Sequence, residues 1–151
     1  MSPEALFGLA GTAAMAGWLI LLLAPRRWPP LNLVPAVIIP LGLSALYAVL
    51  VLRHFAAAGG GYDSLAAVRQ LLSSDWMLLA GWVHYLAFDL AIGAVLARRM
   101  DAASVARLVQ APVLAATFLF GPLGFLLGTL VTAARTPLRL PRIGGTAHVP
   151  A

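Results

Sequence analysis

The sequence contains no cysteine and no lysine, and it carries little charge of either sign. Without cysteine there can be no disulfide, no thiolate metal site and no cysteine nucleophile. Charged residues make up only 10% of the chain and hydrophobic residues 62%, with a mean hydropathy of +0.94. A water-soluble domain needs about 25% charged residues to cover its surface. Much of this surface therefore faces something other than water, and lipid fits the composition. All ten basic residues are arginines, giving a net charge of +5. They stand at the ends of apolar runs, where arginines anchor membrane helices at the headgroups. That placement argues against nucleic acid as a partner.

The apolar runs set the organisation. Ala5 to Ala24 is uncharged and long enough to cross a bilayer of about 30 Å at 1.5 Å per residue. Only Glu4 precedes it, and Arg26 and Arg27 follow, which disfavours a cleaved signal peptide. Pro25, Pro29 and Pro30 mark a short turn. Leu31 to Leu52 is the second span, with Pro40 expected to kink it and Arg53 and His54 closing it at the interface. After the Gly59-Gly60-Gly61 joint, Tyr62 to Leu72 reads as a short amphipathic interfacial helix. Trp76 to Ala97 is the third span, with Asp75 expected at its N-cap. Leu108 to about Ala134 is the fourth, where Pro112 and Gly121-Pro122 should bend or break the helix.

The expected fold is all-α: four transmembrane helices in one bundle over residues 1–134, with the short interfacial helix before the third span. Residues 135–151 read as a basic, Pro-containing, disordered tail. With four crossings the arginines divide evenly. Arg26, Arg27, Arg98, Arg99 and Arg107 lie on one side, and Arg53, Arg69, Arg135, Arg139 and Arg142 on the other. The positive-inside rule then ties, and only discounting the tail tips it towards the first group.

The third span carries the polar residues that need explaining. A carboxylate at mid-helix costs about 2.5 to 3.5 kcal/mol on insertion scales. Asp89 must therefore pair, take a proton or line a hydrated cavity. His84 also lies at membrane depth, and its ring nitrogens need partners. Asp75, Trp82 and Asp89 are spaced by seven and form one stripe that drifts by about 20° per step. His84 falls roughly 140° around the helix from Asp89, at 100° per residue. The two should face different neighbours, which argues against a His–Asp dyad on one face. It also argues against a metal site, and no metal or cofactor is expected. Tyr47, Tyr85, Gln110 and Thr117 are further candidates for lining a cavity. Gly121, Pro122 and Gly124 mark a break that frees backbone groups.

The run Ser73-Ser74-Asp75-Trp76, continued by Trp82-Val83-His84-Tyr85 and Asp89, is distinctive. Together with Gly121-Pro122-Leu123-Gly124 it resembles the ABA4-like family, named for a plant plastid protein needed to make neoxanthin. The resemblance covers the chain from about Gly59 to the end of the fourth span. It implies acid–base isomerisation of a carotenoid or related isoprenoid, opening an epoxide and removing a proton from the neighbouring polyene. By the same resemblance Asp89 and His84 would be the base and acid and Asp75 would assist. Trp82 would stack on the polyene, and Tyr85, Pro122 and Gly124 would line its site.

Two rival readings remain. The chain could be a non-catalytic ligand-binding or assembly subunit, its polar residues serving as interhelical glue. It could also be a small proton-coupled carrier, with Asp89 titrating, where only a homodimer would supply the usual inverted repeats. The partners expected are membrane lipid and a carotenoid-like apolar ligand. The composition looks bacterial, which points to an inner membrane.

Overall fold

The protein is described by a computed structural model covering residues 1–135, so the tail expected beyond Arg135 lies outside the described residues. It is all-helical. Helix α1 spans Pro3–Leu23, α2 Pro29–Ala58, α3 Leu65–Leu71, α4 Asp75–Ala102 and α5 Arg107–Arg135. As expected, four of them (α1, α2, α4 and α5) are long and apolar enough to cross a membrane.

Local chemistry sets the helix ends. Ser2 caps α1 by accepting from the Ala5 N–H at 3.3 Å. The helix stops at Ala24, ahead of Pro25. Pro29 and Pro30 open α2, where a missing N–H costs nothing. The kink expected at Pro40 takes another form. A proline ring would clash with the carbonyl four residues back, and here the helix widens to a π turn over Val34–Ile38 just before it. The Ile39 N–H bonds to the Val34 carbonyl, five residues away.

Gly59 and Gly60, both at positive φ, reverse the chain into α3. A side chain on Gly60 would collide with the backbone of Ala67 and Leu71, so only glycine fits. Ser64 caps α3 by accepting from the Ala67 N–H. Leu71 is buried against the bundle, while Leu65 remains exposed. The cap of α4 is Ser74, one residue earlier than expected. Asp75 is instead the first helical residue, where its charge favours the helix N-terminus.

Helix α4 is the centre, packing against α1, α2 and α5. Two apolar clusters divide it lengthwise. Near Asp75, Met77, Ala80 and Val83 meet Ala10 of α1 and Leu43 and Leu50 of α2. Near Arg98, Leu90, Ala97 and Met100 meet Trp18 and Leu21 of α1 and Val113 and Leu114 of α5.

Helix α5 breaks where Gly121-Pro122 predicted, and the break is a reversal. Phe120 and Gly121 leave the helical region, whereas Pro112 causes no departure from it. In a continuous helix, positions seven apart are about 10 Å apart and positions fifteen apart about 22 Å. Yet a side chain on Gly124 would strike the Thr117 backbone, and one on Gly128 would lie 3.2 Å from the Val113 side chain. Both pairings reflect about the same point, between Phe120 and Gly121. The chain therefore doubles back as two antiparallel arms, each about 20 Å long. Gly124 and Gly128 let the arms approach closely. Val131, near the end of the second arm, packs into the cluster beside Arg98. No α5 residue enters the cluster beside Asp75.

The arginine end is closed by a polar network. Arg26 Nε meets Asp101 Oδ2 at 2.9 Å, and the Gln110 amide donates to Asp101 Oδ1 at 2.7 Å. Arg107 donates to the Leu22 and Ala24 carbonyls, satisfying the end of α1. Burial, then the nearby Arg107 charge, pushes the Arg26 guanidinium below its ordinary value, and Asp101 offsets part of this.

Candidate functional site at the centre of α4

Asp89 stands at the middle of α4 and is only 7% exposed. The reversal in α5 lays Gly121 directly on its carboxyl group. A Cβ at position 121 would fall 2.9 Å from the Asp89 Cγ. Glycine is thus what lets the broken backbone meet the carboxyl. One carboxyl oxygen, Oδ2, is buried with no hydrogen-bond partner.

Tyr85, one turn earlier, secures the break from below. Its hydroxyl donates to the Phe118 carbonyl at 2.9 Å. In an unbroken helix that carbonyl would accept from residue 122, but residue 122 is proline and has no N–H. The tyrosine supplies the missing donor. Tyr85 and Pro122, both expected at the site, are thereby tied together through one carbonyl.

Trp82 continues this line towards the other end of the bundle. Its ring lies 5.3 Å from Tyr85 and is stacked 5.6 Å from Phe7 of α1, between centroids. It remains 41% exposed. Asp75 ends the stripe in a shallow cavity of about 240 Å³ lined by Pro3, Phe7 and Leu78. The seven-residue stripe therefore follows α1 towards the α5 tip.

His84 faces elsewhere, as the helical wheel required. Its ring lies 5.4 Å from Tyr47 of α2 and 4.6 Å from Phe88. It lines a second cavity of about 340 Å³ between α2, α3 and α4, together with Tyr47, Tyr62, Leu71, Met77 and Gly81. That volume is at the small end of the range for ligand pockets, roughly 300 to 1,000 Å³. A long apolar ligand would place only part of itself there. His84 and Asp89 border different surroundings on opposite sides of one helix.

Other candidates serve the fold. Gly124 is taken up by the contact between the arms of α5. Thr117 bonds back to the Val113 carbonyl, and Gln110 bonds to Asp101 and the Val105 carbonyl, so both are engaged within the fold. Two participants were missed. Tyr62 follows the glycine joint and contributes to the His84 cavity. The Phe118 carbonyl was readable in principle, because it stands four residues before a proline.

This constellation uses the residues that the sequence resemblance rested on: Asp75, Trp82, His84, Tyr85, Asp89, Gly121 and Pro122. A family model described as ABA DEFICIENT 4-like matches residues 5–127. The chain belongs to the ABA4-like family. The match reaches back through α1 and α2, well beyond the motif in α4 and α5. No curated protein and no solved structure matches the chain. In this ABA4-like protein the central helix thus offers two chemically different faces. One holds a carboxyl against freed backbone, and the other holds an imidazole in an aromatic-lined cavity.

Proposed function

We propose that this ABA4-like membrane protein is an enzyme that isomerises a carotenoid or a related isoprenoid by proton transfer. The observation that carries the reading is the buried Asp89 carboxyl, with one oxygen unpartnered, set against a broken helix. A carboxyl at membrane depth with a buried, unpartnered oxygen is costly, and such groups usually serve function. A break in a membrane helix is tolerated where its backbone lies against protein or lines a cavity.

The chemistry needs no oxidant. A base removes a proton from carbon next to an epoxide, the ring C–O bond opens, and an acid delivers a proton to the oxygen. Atoms and electrons balance, and the product is an isomer. Asp89 is the base in this scheme. His84 is the acid, with its aromatic cavity receiving the polar ring end of the ligand. Trp82 stacks on the apolar chain, as aromatic faces do on conjugated ones. Because His84 and Asp89 lie on opposite faces of α4, the ligand must wrap the helix or the two groups must act in separate steps.

The test is expression in a carotenoid-producing host, comparing the protein with Asp89→Asn. An altered pigment made by the parent and lost by at least roughly a hundredfold in Asp89→Asn supports the enzyme. If Asp89→Asn keeps the full effect on the host, the chain is an assembly or binding subunit instead.

A further inference from the structure

We infer that the fourth apolar segment enters and leaves the membrane by the same face, so that the chain crosses it three times. Three observations carry this. First, Gly124 packs on Thr117 and Gly128 beside Val113, pairings that only a reversal between Phe120 and Gly121 can make. Second, Val131 joins Trp18, Ala97 and Met100 at the arginine end, while the cluster at the Asp75 end contains nothing from α5. Third, each arm is about 20 Å long, too short for a hydrocarbon core of about 30 Å.

The arginines supply an independent check that the packing did not use. With four crossings the described arginines divide five against three. With three crossings and a doubled fourth helix the division widens. Arg26, Arg27, Arg98, Arg99, Arg107 and Arg135 share one face. Only Arg53 and Arg69 remain on the other. Six against two among the described residues is a positive-inside signal, and it places the arginine end on the cytoplasmic side. Asp75, α3 and the His84 cavity then belong to the outward half of the membrane. On the proposed function, the ligand's polar ring is received from the outer leaflet.

The absence of cysteine makes the test direct, since single cysteines can be added to the full chain without background. Ala66→Cys on α3, Ala102→Cys at the end of α4 and Ala134→Cys at the end of α5 are exposed positions that leave the packing untouched. A membrane-impermeant maleimide is applied to intact bacterial cells and again after permeabilisation. The expected result is labelling of Ala66→Cys in intact cells, with Ala102→Cys and Ala134→Cys labelled only after permeabilisation. Labelling of Ala134→Cys together with Ala66→Cys in intact cells means that α5 crosses, and overturns the inference. Labelling of Ala102→Cys and Ala134→Cys alone in intact cells overturns the assignment of sides. Neither result touches the catalytic reading, because the experiment measures no turnover.

Discussion

The two ends of the bundle are built to different rules. At the arginine end, α1, α4 and both arms of α5 pack together, and Arg26, Asp101, Gln110 and Arg107 bind the loops across the top. At the Asp75 end α5 is missing, and α4 meets only α1, α2 and the short α3. Ring pairs stand there in place of the polar network: His84 with Tyr47, His54 stacked on Trp76 at 4.5 Å, and Phe7 on Trp82. The difference separates scaffold from site. The polar network sits where the helices are densest, and the His84 cavity opens where α5 is absent, while further cavities of about 560 and 260 Å³ lie beside Trp28 and Arg26 at the arginine end.

Substitutions should split the same way. The largest effect is expected from Gly124→Leu. It drives a side chain into the Thr117 backbone and should cost roughly 3 kcal/mol, at the top of the ordinary range for overpacking. Thermal survival of the detergent-solubilised protein on a sizing column measures this, and an unchanged midpoint would break the comparison at its core. Gln110→Ala should cost about 2 kcal/mol by the same assay, because it strips a buried donor from Asp101 and the Val105 carbonyl. Arg26→Ala and Asp101→Ala should each cost about 1 kcal/mol, since the pair is partly exposed. In a double-mutant cycle most of that cost should appear as coupling between the two. At the other end, His84→Gln should change stability by less than about 0.5 kcal/mol, since no hydrogen bond within the fold is lost with it. Ligand retention, measured by absorbance of the purified protein, should fall sharply. A His84→Gln protein that unfolds easily yet keeps its ligand would reverse the roles assigned to the two ends.

Much of this was legible in the sequence. Four apolar runs, three uncharged and the third carrying only Asp89, with arginine at their ends, specify the long helices through composition alone. The spacing of Asp75, Trp82, His84 and Asp89 on a 3.6-residue helix specifies which share a face, and the structure keeps that arrangement. The reversal in α5 was not legible from hydropathy, which has no sense of direction: two apolar arms in line and two apolar arms folded back read alike. The clue lay in length and small residues. Leu108 to Ala134 exceeds the roughly 20 residues a crossing needs, and Gly121-Pro122 divides it nearly in half. Gly124 and Gly128 then follow at the spacing of one helix face. The carboxyl of Asp89 could be flagged from its cost, but its neighbour Gly121 is 32 residues away in sequence. Only the fold brings them together.

The doubled α5 also bears on how the protein is made. A segment that returns to its starting face needs no hand-over of its C-terminal end through the insertion machinery. Arg135 then faces no electrostatic barrier of translocation, and the membrane potential has no work to do on it. The arms pack along α4 from Asp89 towards Arg98 and against Trp18 of α1, and that surface exists only after α1 and α4 are in place. Biogenesis therefore has an enforced order, with three crossings laid down first and the hairpin slid in last. The Asp89 carboxyl, with its unpartnered Oδ2, is covered only at that final step.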